Sequence, residues 1–581
     1  IGTPKKGQTL KEVRDLLLAE IEKLKKGNFS DDLLPSVINN YKRSYYKNLD
    51  NNQFRAKAFV DAFINNIDWK QEVGKLDRVS KMTKAEIVSF ANRFFDNGYA
   101  VIYKVQGTDT TIQKVDKPKI TPIPTNNDKH SAFLQEIVNH KVEPIKPVFV
   151  DFKKDLTKST TKKGWPILYK QNTQDDLFTL YLEIPFGEES DLLPGYAKMY
   201  IDYLGTDKMT NAQIKQELYK LACDYDIGQT DDETYLYLTG LNENLPKALA
   251  LINDVIDNAK VDKEAYAAAV DLLIKSRKDK KADQRGNFRA LQDYGMYGAY
   301  NSTRNMLSEE QLKNMDPQKL LNSLKGLKNY KQTVLYYGPS SLKDIDNLLN
   351  KTFKTAKKFT PLPKEKRYTL QATPKNEILI APKNIYMVQF HNENKEWNPN
   401  DAAKIAVFNE YFGGGMNAIV FQEMREARAL AYSASASYRT PSRLGDKEYF
   451  NTFIITQNDK MMDCVAQFNE LLNNVPVRQA NFDLAKQNLL KSLASARTTK
   501  FSILSAYMAA QKMGLDYSLS EKIYKDLPSV TLNDIINFEK TNMANKTFKY
   551  LILGNEKELD IKALEKIAPV KRVTTEEIFG Y

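Results

Sequence analysis

With 581 residues and 66.6 kDa, the chain is too long for one hydrophobic core, so several domains are expected. Hydrophobic residues make up 42% and charged residues 27%, as in ordinary soluble globular proteins. The mean hydropathy of -0.53 and the lack of an uncharged apolar run of membrane-spanning length argue against a membrane span.

The net charge of +12 raises the question of nucleic-acid binding, but lysines alternate with acidic residues along helical segments. The densest basic run is residues 277–281 (RKDKK), which is short and interrupted by an aspartate. We interpret it as a solvated helix face rather than a phosphate-tracking patch, and predict no nucleic-acid partner. Anionic peptides or a negatively charged protein partner are compatible with this charge.

The cysteines and the first residues give two smaller indications. Cys223 and Cys464 lie far apart and form no CxxC motif, so buried free thiols are predicted. The chain begins Ile1-Gly2-Thr3-Pro4 without an initiator methionine, and we expect an earlier segment to precede it.

Three segments share one pattern, and three matches at nearly equal intervals predict repeated domains. Each has an N-cap residue, an apolar-periodic helix, a polar turn, a β-rich run and a closing glycine. In the first segment, Thr83 and Glu86 form a capping-box pattern. The segments are residues 76–107, 307–338 and 527–554, with N-cap candidates Thr83, Asp316 and Thr531 and closing glycines Gly107, Gly338 and Gly554.

Two strand signals precede each of the last two segments, whereas only helices precede the first. One of these helices, at residues 10–26, begins at a Thr9/Glu12 capping box and ends at Gly27. Its apolar stripe needs a sheet to cover, so we predict that the first domain is cut and that a preceding segment or separate chain supplies its strands. The fold class is therefore α+β, with sheets covered on one face by helices in two complete domains plus part of a third. The strand signals are residues 178–185, 234–239, 384–391 and 449–455.

Residues 412–432 (FGGGMNAIVFQEMREARALAY) resemble the insulinase/pitrilysin-like zinc peptidases. In that family a Gly-rich turn, a helix ending in Arg, and a Tyr seven residues later recur, and a strand follows here at residues 433–440. The resemblance extends over essentially the whole chain. It implies a clamshell half with these domains: 1–107, the helical remainder of a second peptidase-like domain; 108–160, a Pro-containing linker; 161–368, a third, degenerate domain; and 369–581, a fourth domain with the Arg/Tyr motif.

The resemblance gives Arg425 and Tyr432 a role in contacting substrate near the scissile bond. Their chemistry suits this role, because a guanidinium and a phenol are donors that can stabilise a developing oxyanion. The alternative is that Arg425 caps its helix or pairs with Glu426, while Tyr432 packs in the sheet. The adjacent Gly413-Gly414-Gly415 is predicted to be a tight turn that allows close backbone packing, since no GK[ST] follows to make it a phosphate loop.

Catalysis in this family depends on a helical His-x-x-Glu-His, followed by Gly-Thr, whose histidines bind zinc while the glutamate activates water. Gly205-Thr206 matches the Gly-Thr, and counting back places Tyr196, Met199 and Tyr200 at the motif positions. Tyr and Met are not zinc ligands in this setting, so the third domain is predicted to be a degenerate copy. The three histidines, His130, His140 and His391, are predicted to be surface or packed residues.

We therefore expect the non-catalytic, carboxy-terminal part of a zinc metallopeptidase that encloses and positions peptide substrate. No metal is expected on this chain, because zinc would be held by an upstream catalytic half or partner chain. The alternative is an inactive peptide-binding or scaffold subunit of the same family. A serine or cysteine hydrolase lacks any supporting motif. The family and the low cysteine count are compatible with export, including to the periplasm.

Overall fold

The computed structural model describes residues 1–5, 7–105, 107, 111, 131–354, 358–382 and 386–581. His130 and three of the five prolines of the predicted linker, Pro118, Pro122 and Pro124, lie outside these ranges. The chain forms two compact units, Ile1–Ile145 and Lys146–Tyr581. The fold class is α+β, as predicted, with two six-stranded mixed sheets in the second unit.

The described part of the first unit contains helices and no strand. The predicted capping boxes at Thr9/Glu12 and Thr83/Glu86 are both formed, so the two helix starts are confirmed. The β-rich run before Gly107 does not form a strand, because a strand needs a partner for its backbone groups. A short helix capped by Ser131 lies inside the predicted linker, where none was expected. The helices are α1 Leu10–Lys25, α2 Leu33–Leu49, α3 Asn52–Ile64, α4 Trp69–Val73, α5 Lys75–Ser80, α6 Lys84–Phe94 and α7 Ala132–Asn139.

The first sheet of the second unit has the strand order β1-β2-β6-β3-β5-β4. Its strands are β1 Thr157–Thr160, β2 Pro166–Gln171, β3 Leu177–Ile184, β4 Cys223–Gln229, β5 Thr234–Leu241 and β6 Thr333–Gly338. The helices along this stretch are α8 Leu193–Ile201, α9 Asn211–Lys220, α10 Leu245–Asn258, α11 Lys263–Ala282, α12 Gln284–Tyr297, α13 Glu309–Asn314, α14 Pro317–Gly326 and α15 Leu342–Thr352.

The second sheet has the order β12-β7-β11-β8-β10-β9. Its strands are β7 Glu377–Ala381, β8 Tyr386–His391, β9 Ser433–Arg439, β10 Tyr449–Ile455, β11 Lys549–Leu553 and β12 Val570–Arg572. The helices along this stretch are α16 Ala402–Phe408, α17 Ile419–Phe421, α18 Met461–Asn473, α19 Gln479–Ser495, α20 Ser502–Lys512, α21 Leu519–Asp526, α22 Leu532–Asn542, α23 Ile561–Ile567 and α24 Thr575–Phe579.

Five strands have the same order and directions in both sheets. In each sheet a parallel pair (β2 with β6, or β7 with β11) is followed by three antiparallel steps. Only the outermost strand differs, since β1 is antiparallel to its neighbour and β12 is parallel to its own. This agreement supports the repeat that was predicted from the sequence.

The four predicted strand signals match β3, β5, β8 and β10 where the structure describes them, and the runs before Gly338 and Gly554 are β6 and β11. Strands β1, β2, β4, β7 and β12 were not predicted. Strand β4 (CDYDIGQ), for example, alternates Cys223, Tyr225 and Ile227 with polar residues, but its aspartates and glycine are residue types that are rare in strands, and they obscure this signal.

Helices cover more of the sheets than the predicted single face. Helix α12, which follows the first sheet's strand β5, packs Phe288 and Leu291 against the second sheet. In return, α20 packs Ile503 and Leu504 against the first sheet. At the α12 contact an added Cβ on Gly295 would lie 2.2 Å from Leu551 Cδ2, so a larger residue there would displace the Leu551 side chain. The two sheet regions are therefore interlocked by exchanged helices.

Candidate functional site

The Gly-rich turn lies against the edge strand β9 of the second sheet. Helix α16 continues into a π-helical turn, Asn409–Gly414. A Cβ added to Gly413 would lie 1.9 Å from the carbonyl oxygen of Ala436 on β9. The Asn409 side chain accepts from the Tyr438 N–H and donates to the Tyr438 carbonyl, at 2.8 and 3.0 Å. The predicted close backbone packing of this turn is confirmed, and it protects the sheet edge.

Arg425 lies on a second π-helical turn, Gln422–Glu426, which continues α17. Its guanidinium carbon is 4.9 Å from the ring centroid of Phe421 and 5.4 Å from that of Tyr432. The Arg425 side chain is 43% exposed, and its Nε is 3.7 Å from a Glu426 carboxylate oxygen. Arg425 and Tyr432 are therefore in contact, as the predicted site requires. The Glu426 contact of the alternative interpretation is also present, as a loose ion pair at the surface.

Tyr432 precedes β9 and is 79% exposed, so its ring does not pack inside the sheet as the alternative interpretation required. Among the described residues, no hydrogen-bond partner is found for its hydroxyl. The Tyr432 backbone N–H donates to the Ile455 carbonyl at 3.1 Å, which anchors the residue to β10. The phenol therefore presents a free donor to solvent from a fixed backbone position.

The turn between these two residues holds them at this separation. Ala429 has a φ of 48°, which is unusual for a residue with a Cβ. The Ala429 N–H donates to the Arg425 carbonyl, and the Leu430 N–H donates to the Met424 carbonyl. Left-handed non-glycine residues and π-helical turns both occur disproportionately at functional sites.

A neighbouring carboxylate is already neutralised by other arginines. Glu423 accepts hydrogen bonds from Arg428 and Arg478. Burial raises the pKa of Glu423, but these two hydrogen bonds outweigh burial and lower it overall. Glu423 is therefore occupied by other arginines, and among the described carboxylates Arg425 contacts Glu426 at the surface.

Helix α8 carries the predicted degenerate motif positions, and in chain order it follows β3 and precedes β4 of the first sheet. The Tyr200 side chain is fully buried, and its hydroxyl donates to the Asp262 carbonyl at 2.9 Å and accepts from the Asp262 N–H at 2.8 Å. The Tyr196 hydroxyl accepts from Arg277 Nη2 and from the Leu307 N–H, both at 3.0 Å. Met199 lines a cavity beside the helix. These side chains do not suit zinc, because the two phenols are engaged in protein hydrogen bonds.

The two histidines that the structure describes, His140 and His391, occupy different environments. His391, on β8, is buried, and its Nδ1 lies 2.7 Å from the Thr547 carbonyl oxygen and 3.0 Å from Thr373 Oγ1. Burial lowers the pKa of His391. His140 is exposed. Within the described ranges, no group of three His, Cys, Asp or Glu side chains is arranged to hold a metal ion.

Sequence reasoning missed Arg277, which was interpreted as part of a solvated helix face. Its side chain is buried, with 7% exposure, whereas Lys278 and Lys280 in the same run are exposed. The physical reason is that Arg277 turns toward α8 and donates to Tyr196.

The cysteine prediction is confirmed, because Cys223 and Cys464 are buried free thiols. None of the described helices combines the length and apolarity that crossing a lipid bilayer requires.

Comparisons with known proteins identify the region that carries Arg425 and Tyr432. Residues 329–489 match the family model described as Peptidase M16 inactive domain. A 125-residue stretch is 22% identical to the mitochondrial-processing peptidase subunit beta of Neurospora crassa. That match covers 21% of this chain and 26% of the relative, so it represents only about a quarter of that protein's length.

Solved structures share the fold. The peptidase M16 inactive domain from Pseudomonas fluorescens aligns with a TM-score of 0.53 and 15% identity, over 69% of this chain and 98% of its own. The periplasmic protease PqqL from Escherichia coli aligns with a TM-score of 0.56 and 13% identity, over 94% of this chain and 63% of its own. The predicted family resemblance is confirmed at this level: residues 329–489 match the peptidase M16 inactive domain.

Proposed function

We propose that this chain is the non-catalytic part of an M16-type zinc metallopeptidase, and that it encloses peptide substrate and contacts it through Arg425 and Tyr432. The observation that carries the proposal is their juxtaposition. A guanidinium and a phenol, both exposed to solvent, lie side by side within the segment that matches the M16 inactive domain. These donors can bind a peptide carbonyl and stabilise the oxyanion that develops when water attacks it.

The exposed apolar side chains of the first unit support the proposal that another segment packs against it. The described helices α1 to α6 bury only Ser36, Ala62 and Ala91, while Phe63 is 88% exposed and Ile102 is 93% exposed. Apolar faces of this extent are typical of surfaces that another segment covers. The proposed cover is the set of strands from a preceding segment or partner chain.

Zinc belongs, in this proposal, to that complementary segment, whose His-x-x-Glu-His would hold the metal and activate water. Tyr196 and Tyr200 on α8 support this assignment, because their hydroxyls are hydrogen-bonded to Arg277 and Asp262. Neither hydroxyl is therefore available as a ligand for zinc on this helix. The periplasmic relative supports export of the complete enzyme.

The test combines the purified chain with the zinc-loaded complementary segment and a fluorogenic unstructured peptide. We expect cleavage only when both parts are present, and loss of cleavage with a chelator. Metal analysis of the isolated chain should find far less than one zinc ion per molecule. Chelator-sensitive hydrolysis by the isolated chain, with tightly bound stoichiometric zinc, would overturn the proposal.

The same experiment separates the enzyme from the inactive scaffold subunit. If the reconstituted pair binds the peptide tightly but never cleaves it, the scaffold alternative replaces the peptidase. If cleavage occurs but does not require this chain, substrate enclosure by this chain is wrong. A catalytically dead complementary segment, with its motif glutamate changed to glutamine, is the matched control for binding without turnover.

A further inference from the structure

A cavity of about 860 Å³ lies beside α8, on the side of the degenerate motif positions. Tyr196 and Met199 line it from α8, and Arg277 and Lys280 line it from α11. The cavity is large enough for several residues of an extended peptide. It is distinct from the Arg425/Tyr432 site, which lies on the second sheet.

Arg277 and the Tyr196 hydroxyl have no carboxylate partner at this cavity among the described residues. Arg277 is 93% buried, yet no carboxylate among the described residues lies within ion-pairing distance of its guanidinium. Its one described side-chain hydrogen bond goes to the Tyr196 hydroxyl, at 3.0 Å. That hydroxyl also accepts from the Leu307 N–H, and its own proton finds no acceptor in the described part of the chain. Buried charges in proteins are almost always paired, so these groups indicate a missing anionic acceptor.

The guanidinium is held in place before any ligand arrives. The Tyr196 hydrogen bond fixes one edge, and the Tyr581 ring centroid lies 5.6 Å from the guanidinium carbon. The Tyr581 hydroxyl donates to the Arg277 carbonyl at 3.2 Å, which ties this ring to the same helix turn. A donor held in this way loses little conformational entropy when it binds.

The nearby carboxylates do not neutralise Arg277. Asp283 caps α12 and accepts from the Gly286 N–H at 2.7 Å. Glu188 lines the cavity, but burial and repulsion from Asp231 raise its pKa to about 7. Lys280 lines the cavity as a further exposed cation. Basic side chains therefore outnumber acidic ones in the cavity lining, with Lys198, Arg277, Lys280 and Arg289 against Glu188 and Asp283.

The edge of the first sheet indicates that the ligand is a peptide. Strand β4 is the terminal strand of that sheet, and its residues Ile227, Gly228 and Gln229 line the same cavity. A terminal strand presents backbone donors and acceptors to which an extended peptide can add. A carboxylate on such a peptide would complete the hydrogen bonds of Arg277 and Tyr196.

We infer that this cavity is a second peptide-binding site, in which Arg277 and the Tyr196 hydroxyl bind a carboxylate of an extended peptide. The peptide nature of the ligand rests on the edge strand β4 and on the proposed function, whereas the carboxylate preference rests on Arg277 and Tyr196 alone. The position that would hold a zinc-binding histidine in an active copy thus holds an anion-binding phenol.

The test measures the fluorescence anisotropy of three labelled ten-residue peptides with the full chain. The first has one central Glu and an amidated terminus, the second has Gln and a free terminal carboxylate, and the third has Gln and an amidated terminus. We expect the first or the second to bind about ten- to a hundredfold more tightly than the third. The stronger of the two tells whether a side-chain or a terminal carboxylate is bound. Equal affinities for all three would overturn the inference.

The variants assign the preference to the two residues. Arg277→Gln and Tyr196→Phe should each reduce the carboxylate preference, Arg277→Gln to the level of the neutral peptide. Lys275→Gln, an exposed lysine on the same helix with the same charge change, should keep it. Should Arg277→Gln fail to fold, the isosteric Tyr196→Phe decides, and an unchanged preference in that variant overturns the inference. Arg425→Ala should leave the preference intact, so failure here is distinguishable from failure of the proposed function.

Discussion

The two sheet regions each present an arginine and a tyrosine in contact, but in opposite environments. Arg425 and Tyr432 lie at the surface, in ring contact at 5.4 Å, and Tyr432 is 79% exposed. Arg277 and Tyr196 are joined by a 3.0 Å hydrogen bond at a cavity, and Arg277 is 7% exposed. The exposed pair can move onto a ligand and must lose side-chain entropy to do so, whereas the buried pair is already ordered.

This difference indicates that two copies of one fold can differ in what their Arg/Tyr pairs do: one pair is available to a ligand at the surface, and the other is built into the packed interior. In the second region the chemistry-bearing side chains cost little in folding stability and are free for function. In the first region the predicted motif positions take part in core hydrogen bonding, through Tyr200 and Asp262 as well as Tyr196. Substitutions of Arg425 and Tyr432 should therefore change activity, whereas substitutions of Tyr196, Tyr200 and Arg277 should change stability or ligand preference.

The largest expected effect is that of Arg425→Ala. In the reconstituted enzyme, kcat/KM should fall about ten- to a thousandfold, the range for removing one donor to a developing oxyanion. Arg428→Ala is the matched control, because both arginine side chains are 43% exposed but Arg428 pairs with Glu423 instead. Steady-state kinetics at low substrate concentration measure both. Equal losses in the two variants would remove Arg425 from the site.

Glu539→Gln tests whether the second region also contains an unpaired buried charge. Glu539 on α22 has no exposure, and neither of its carboxylate oxygens has a hydrogen-bond partner in the described part of the chain. Burial raises its pKa to about 7 from an ordinary value of 4.5. Between these values the unfolded chain releases a proton that the folded chain keeps, so the free energy of unfolding falls as pH rises and the loss is complete above about pH 7.

Glu539→Gln should therefore raise stability by roughly 2 kcal/mol at pH 8 and by little at pH 4.5. Denaturant unfolding at both pH values measures this difference. The exposed Glu565→Gln is the control and should show no such pH dependence. By comparison, Glu189 in the first region is buried with Arg443 at 2.6 Å, and it has the partner that Glu539 lacks. A variant no more stable than the wild type at pH 8 would contradict a buried, unpaired carboxylate.

Tyr432→Phe removes only a hydroxyl from the exposed pair. We expect kcat/KM to fall about tenfold, since one neutral donor to the transition state is lost. The melting temperature should not change, because the ring is exposed and its hydroxyl has no partner among the described residues. Activity assays test the expected loss of kcat/KM, and thermal unfolding of the same preparation tests the unchanged melting temperature. Full activity in this variant would leave Arg425 as the sole contact.

Tyr200→Phe is the same chemical change in the first region. Here we expect stability to fall and activity to stay the same. Loss of the hydroxyl leaves the Asp262 N–H without its partner, while the Asp262 carbonyl keeps the bond from the Tyr266 N–H, and stability should fall by about 1 kcal/mol. The kcat/KM of the reconstituted enzyme should stay within about twofold, because the hydroxyl serves the core. A large loss of activity with unchanged stability would reverse the roles assigned to the two regions.

Local signals in the sequence determined much of the fold. Capping boxes at Thr9, Thr83 and Thr531 fixed helix starts, because an N-cap bond depends only on neighbouring residues. Apolar, aromatic runs marked β3, β5, β6, β8, β10 and β11, and the motif of residues 412–432 marked the pair Arg425 and Tyr432. The α+β class and the repeat followed from these signals alone.

Tertiary structure decided what depends on distant partners. Strand β4 exists because β5 supplies its hydrogen bonds, and the β-rich run before Gly107 stays unpaired because no described strand adjoins it. The exchange of α12 and α20 between the sheets has no local signature. The basic run predicted that Arg277 lies at the surface. It is a buried charge because it packs against Tyr196, which is 81 residues away in sequence. Burial and charge pairing are properties of the packed molecule, so no local pattern could have revealed them.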